Sequence, residues 1–122
     1  MSKPNTIKID NVEYVRKGEE KVMADKLDGL TYAIIRTYSA GCFAGYVKER
    51  NGKEGTILKA RRLWYWSGAA SLSQLAMEGV KEPDECKFPC EVEELQLTEI
   101  IEVIPATYDA KKSINEVKIW KQ

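Results

Sequence analysis

The chain has 122 residues, 43% hydrophobic and 31% charged, and its 19 basic and 19 acidic side chains cancel. This length supports a single domain over residues 1–122 and is too short for two, and the composition excludes a disordered chain. Zero net charge argues against a nucleic-acid polymer as partner. No apolar run approaches the ~18 residues needed to cross a bilayer. The start, Met1-Ser2-Lys3-Pro4-Asn5, lacks the apolar core of a signal peptide, so neither a membrane nor export is expected and a cytoplasmic location is.

In chain order, Thr6–Asp10 alternates and predicts a strand, Asp10-Asn11 a turn, and Val12–Arg16 a second strand. Val22, Met23 and Leu27 at helical spacing predict a short helix over 19–27, ended by Asp28-Gly29. Leu30–Tyr38, rich in β-branched and aromatic residues, predicts a buried strand. The glycines of Gly41-Cys42-Phe43-Ala44-Gly45 predict a bulge or a close backbone approach, with strand continuing through Arg50. Asn51-Gly52 predicts a type I′ hairpin turn and Thr56–Trp66 the returning strand. Ser71-Leu72-Ser73-Gln74 fits a capping box opening a short helix that ends at Gly79. Pro83 and Pro89 mark a loop, and 91–104 predicts one or two strands stopped by Pro105. A last helix is predicted over Asp109–Glu116 and a terminal strand over Val117–Trp120. The expected fold is α+β, mainly antiparallel sheet with two or three short helices.

The chemistry is bounded by what is missing. The chain has no histidine, which removes Ser-His and Cys-His nucleophiles and the commonest general base near neutral pH. Three cysteines, Cys42, Cys86 and Cys90, are too few for a disulfide scaffold, and Cys86-x-x-x-Cys90 finds no histidine to complete a zinc site. Gly41–Gly45 lacks the Gly-Lys-Ser/Thr ending of a phosphate loop. A non-enzymatic protein without metal or cofactor is expected. Charge is unevenly placed: Lys48, Arg50, Lys53, Lys59, Arg61 and Arg62 precede a stretch with eight carboxylates from Glu82 to Glu102. These two halves either attract across a subunit interface or form separate solvated faces.

The densest chemistry lies in Arg61–Gly79, where Trp64, Tyr65 and Trp66 follow two arginines and precede a small-residue elbow. Aromatic faces stack on flat rings, guanidinium groups hold anions, and small residues let a ligand approach the backbone. Trp64 and Trp66 alternate and share one strand face, either core or platform. Arg61 and Arg62 point to opposite faces, so one at most reaches a given site. Ser67, Gly68 and Ser71 surround a helix start, where free N–H groups favour an anion; Ser71 equally serves as the cap. Arg36, inside an apolar strand, needs a partner, either a carboxylate or a ligand phosphate. Phe88, in a loop between prolines, either packs or stacks on a base.

Arg36-Thr37-Tyr38-Ser39-Ala40-Gly41, the Arg61–Gly79 stretch with its Arg-Leu-Trp-Tyr-Trp-x-Gly-Ala-x-Ser-Leu run, Cys86-Lys87-Phe88-Pro89 and Ala110-Lys111-Lys112-Ser113-Ile114 occur in this order in a known group. From about Ile7 to Trp120 the chain resembles a family of small phage and prophage proteins that includes the first class of Thoeris anti-defence proteins. The resemblance implies a sponge. In Thoeris immunity a TIR-domain enzyme converts NAD into a cyclic ADP-ribose isomer that activates an effector, and the sponge binds that signal without cleaving it. It further implies a homodimer or higher homo-oligomer with ligand held between protomers, and for some members a cyclic trinucleotide at a second site. The place of action would be the cytoplasm of the infected or lysogenic bacterial cell. The candidate ligand contacts are Arg36, Tyr38, Arg62, Trp66, Ser67, Gly68, Ser71 and Phe88, with Lys111 and Asn115 added because they lie in or beside the C-terminal matching segment. The alternative is a structural or interaction module of a phage particle with no small ligand.

Overall fold

A computed structural model describes residues 22–121. The strands expected over 6–10 and 12–16 and the first part of the 19–27 helix lie outside the described residues. Five strands, β1 (Thr31–Thr37), β2 (Cys42–Asn51), β3 (Glu54–Arg62), β4 (Glu91–Leu97) and β5 (Ile100–Pro105), form one antiparallel sheet in the order β4-β3-β2-β1-β5. Two helices, α1 (Leu72–Glu78) and α2 (Tyr108–Glu116), join them, so the fold is α+β and mainly antiparallel sheet. Among the described residues no helix is long and apolar enough to cross a membrane.

In the central strands β1 and β2 both faces are buried over most of their paired length. On one, Tyr32, Ile34, Ala44 and Tyr46 pack with Leu75 and Ala76 of α1 and Ala110 and Ile114 of α2. On the other, Ala33, Ile35, Phe43, Ile57, Ala60, Leu97 and Ile100 pack on one another. This second core needs no covering layer because the sheet rolls. The edge strands β4 and β5 are joined by only Thr98 and Glu99, so the two edges must converge there. The Ile100 amide then donates to the Lys53 carbonyl across the gap (2.8 Å).

A bulge in β3 sets which side chain faces which core. Ala44 opposes Arg61 and Tyr46 opposes Leu58, so β3 carries one residue more than β2 over this span. The extra residue is Lys59, with φ +51°. Without it Arg61 would share the face of Ile57; the bulge shifts the alternation so that Arg61 turns to the helices and Arg62 to Phe43.

Several local expectations are corrected. Residues 22–27 are not helical: Ala24 and Tyr108 exchange backbone bonds with Ala106 and Val22, and Asp28 (φ +51°) and Gly29 (φ +83°) close a tight turn between Leu27 and Leu30. Strand pairing with a neighbouring segment outweighs a helical pattern too short to sustain itself. In the β2–β3 hairpin Asn51 pairs with Glu54, so the turn residues are Gly52 and Lys53. Only Gly52 has positive φ, as in a type II′ turn rather than type I′. Strand β3 ends at Arg62, not Trp66, and the terminal strand reduces to one bridge between Ile119 and Phe88. The helix over 72–78 is capped as expected by Ser71, whose Oγ accepts from the Gln74 amide (3.2 Å). Gln74, however, reaches back one residue further, to the Ala70 amide.

Candidate functional site

The two arginines have opposite fates. Arg61 is buried, and its guanidinium is used up by the chain itself. Nε donates to the Pro89 carbonyl (2.9 Å), Nη1 to Ile114 (2.7 Å), and Nη2 to Phe88 (3.1 Å) and Val117 (2.7 Å). The Ile114 and Val117 carbonyls lie at the C-terminal end of α2, where a cation is favoured by the helix dipole. Burial pulls the Arg61 pKa below its usual value.

Arg62 lies half-buried over the Phe43 ring (4.5 Å to the centroid) and its Nη1 donates to the Ala40 carbonyl. That bond commits one edge of the guanidinium to the β1–β2 turn. Among the described residues Nε and Nη2 of Arg62 have no hydrogen-bond partner, so donors remain for an anion.

The turn under Arg62 is held by Thr37, whose Oγ1 donates to the Gly41 carbonyl (2.7 Å) and accepts from the Ala40 amide (2.9 Å). Gly41 has φ +93°, a conformation suited to glycine. Ser39, Ala40, Gly41, Cys42, Arg62, Leu63 and Trp64 together line an open cavity of about 220 Å³. The Cys42 thiol at its edge is half-buried, and desolvation raises its pKa.

Trp64 supplies the cavity's aromatic wall. It is 63% exposed because β3 has ended and the chain has left the sheet. Its indole stacks on that of Trp120, with centroids 6.5 Å apart and planes 6° apart, and the Lys87 ammonium lies 5.8 Å from the Trp120 centroid. Trp64 and Trp66 therefore do not share a strand face. Trp66 is half-buried and packs against the helix-side core, which leaves Trp64 as the exposed platform. The sequence leaves Trp64 open between core and platform, and Trp120 enters it only as the end of a predicted terminal strand.

The remaining candidates are scattered. Arg36 is not buried: its side chain is 52% exposed and its Nε pairs with Glu102 at 3.4 Å, so a carboxylate supplies its partner. Tyr38 is 78% exposed and lines a different cavity, with Lys53, Glu99 and Ile101. Ser67 Oγ donates to the Glu82 carboxylate, and Ser71 serves as the helix cap. Gly68 has φ +88°, and a Cβ there would meet the Lys81 and Glu82 amides at 2.6 and 2.7 Å, so close packing explains the glycine. Phe88 is fully buried with Arg61 beside its ring, so it packs and offers no face to a base. Lys111 lies over Tyr32 and Tyr46 (5.6 and 5.2 Å), and Asn115 lines a cavity with Arg61, Glu91, Val117 and Ile119. Of the ten candidates, only Arg62 lines the cavity walled by Trp64.

The arrangement offers stacking, a cation and exposed turn backbone. In the same lining the Ser39 hydroxyl donates to the Glu99 carboxylate (2.5 Å). Neither a curated protein nor a solved structure matches the chain. A family model described as a domain of unknown function (DUF6948) matches residues 30–114, which carries the whole sheet and most of α2, and the chain belongs to that family.

Proposed function

We propose that the chain is a non-catalytic binding protein that sequesters a cyclic ADP-ribose-type signal made by a bacterial TIR-domain defence enzyme and so blocks anti-phage immunity. The observation that carries this reading is the exposed Trp64 indole forming one cavity with the Arg62 guanidinium and the Ser39–Cys42 turn. A flat adenine stacks on an indole, a diphosphate takes charge-assisted bonds from a guanidinium, and ribose hydroxyls reach an exposed backbone. Holding a ligand requires no general base, which suits a chain without histidine.

The cavity is open and small. At about 220 Å³ it falls short of the roughly 300–1,000 Å³ typical of ligand sites. A second copy closing over Trp64 supplies the missing walls, in keeping with a homodimer or larger homo-oligomer, and the place of action is the cytoplasm of the infected or lysogenic cell. A second reading, a protein-contact module of a phage particle, draws on the exposed Trp64, Tyr65 and Ile119.

The test is a thermal-shift panel of cyclic ADP-ribose isomers and cyclic oligonucleotides, followed by recovery of the bound ligand after heating. A ligand that binds only the folded chain raises its melting temperature. A large shift with one cyclic ADP-ribose isomer, released intact, is the expected result. No shift with any of them, or release of a cleaved product, would overturn it.

A further inference from the structure

Resting on that reading, we infer that Trp64 and Trp120 form an aromatic clamp that takes a planar nucleobase between them, with Lys87 beside it for the attached phosphate. Three observations lead there. First, the two indoles are already parallel, 6° apart, with centroids at 6.5 Å. A ring held between two others needs about 7 Å, twice the ~3.5 Å contact distance between carbons. Insertion therefore requires the two rings to separate but not to reorient.

Second, the movement falls on the end of the strap after α2, beyond the Val117 carbonyl that Arg61 holds. Trp120 sits on the strap after α2, tied by its amide to the Phe88 carbonyl (2.9 Å) and by the single Ile119–Phe88 bridge. Its partner Trp64 is likewise outside any strand. Neither indole is locked in a close-packed core, where separation would open a cavity.

Third, the charge is on the right side for a nucleotide. Lys87 approaches the Trp120 ring at 5.8 Å, and Arg62 lines the cavity that Trp64 walls. A base inserted between the indoles thus has one cation near each ring. An uncharged aromatic ligand would gain the stacking and forgo both cations. Trp120 itself lies beyond residues 30–114, the span that the family model matches.

The experiment measures binding of adenylate, ribose phosphate and cyclic ADP-ribose isomers by calorimetry to the full chain, to Trp64→Ala and to Trp120→Ala. Circular dichroism near 230 nm reads the coupled indole pair directly. The expected result is at least about tenfold weaker binding of base-containing ligands in each variant, the loss expected of one stacking surface. Ribose phosphate should be unaffected, and the couplet of the wild type should collapse on saturation. Cyclic ADP-ribose binding that survives Trp120→Ala, with the wild-type couplet unchanged on saturation, overturns the clamp and leaves the sponge reading standing. Adenylate binding lost in both variants, with no binding of any cyclic isomer, supports the clamp and overturns the sponge. Binding of none of the three probes overturns both.

Discussion

The Arg61 guanidinium donates through Nη1 to the Ile114 carbonyl at 2.7 Å, across 53 positions of sequence, and so ties β3 to the end of α2. Its other donors reach Pro89, Phe88 and Val117, so one side chain joins the sheet, the Phe88 segment and the strap that carries Trp120. Hydrogen bonds to a charged group contribute about 1.5–3 kcal/mol each, and orphaned carbonyls add to the loss. Arg61→Met should cost about 3–5 kcal/mol of stability, measured by urea denaturation. A loss below about 1 kcal/mol would show that the carbonyls find water instead.

The tryptophans should separate binding from stability. Trp64→Ala removes an exposed ring and should change stability by no more than about 0.5 kcal/mol, while binding of the nucleotide signal falls at least about tenfold. Trp66→Ala, which takes a half-buried ring from the helix-side core, should cost about 2–4 kcal/mol. Parallel melting and binding curves for the two variants decide the matter, and a reversal of the two outcomes would assign the platform to Trp66.

Arg62 should act through charge. Arg62→Gln keeps a donor that can reach the Ala40 carbonyl but loses the cation. Binding should weaken about tenfold at low salt, and the gap between variant and wild type should narrow as salt rises. A salt-independent loss would mean that Arg62 only props the turn.

Gly79 tests the contact between the helices. It has φ +76°, and a Cβ there would run into the Ser113 side chain and come within 3.1 Å of the Ala110 Cα. Gly79→Ala should therefore destabilise by about 1–3 kcal/mol. Adding Ser113→Ala should recover only part of this, because the backbone clash remains. Full recovery in the thermal melt of the double variant would place the whole cost on the Ser113 hydroxyl.

Tyr32 predicts the alkaline limit. Burial, with the neighbouring Tyr46 adding to it, drives its phenol pKa well above the ordinary tyrosine value. A folded pKa above the unfolded one means that the fold favours the protonated form. The contribution is complete below about pH 10 and is lost as pH rises above it. Stability should fall progressively from about pH 10 upward, and Tyr32→Phe should flatten that decline. Denaturation at stepped pH with absorbance at the phenolate band checks it, and an unchanged slope in the variant would assign the decline elsewhere.

Much of the fold was legible locally. The β-branched and aromatic run of Thr31–Thr37, the Ser71 cap and Gly79 stop of α1, and the helix before Val117 depend on residues close in sequence, and they form where expected. The candidate site was less so. The segment Trp64–Trp66 carries a strand pattern, yet its chain leaves the sheet after Leu63 donates to the Cys42 carbonyl (2.9 Å) and Tyr65 pairs with Lys87. Which tryptophan is exposed follows from that departure, and Phe88 enters the core by the same rearrangement.

The sequence by itself determined that Arg61 and Arg62 face opposite ways, since neighbours on a strand always do. It also determined the types of the five sheet strands and two helices, and the lack of any histidine chemistry. Only the tertiary structure decided which arginine is spent inside the fold and which keeps free donors. That choice rests on one extra residue, Lys59, in β3. A bulge reverses the phase of every later side chain, and its position is set by pairing with β2 and β4, partners that no local pattern specifies.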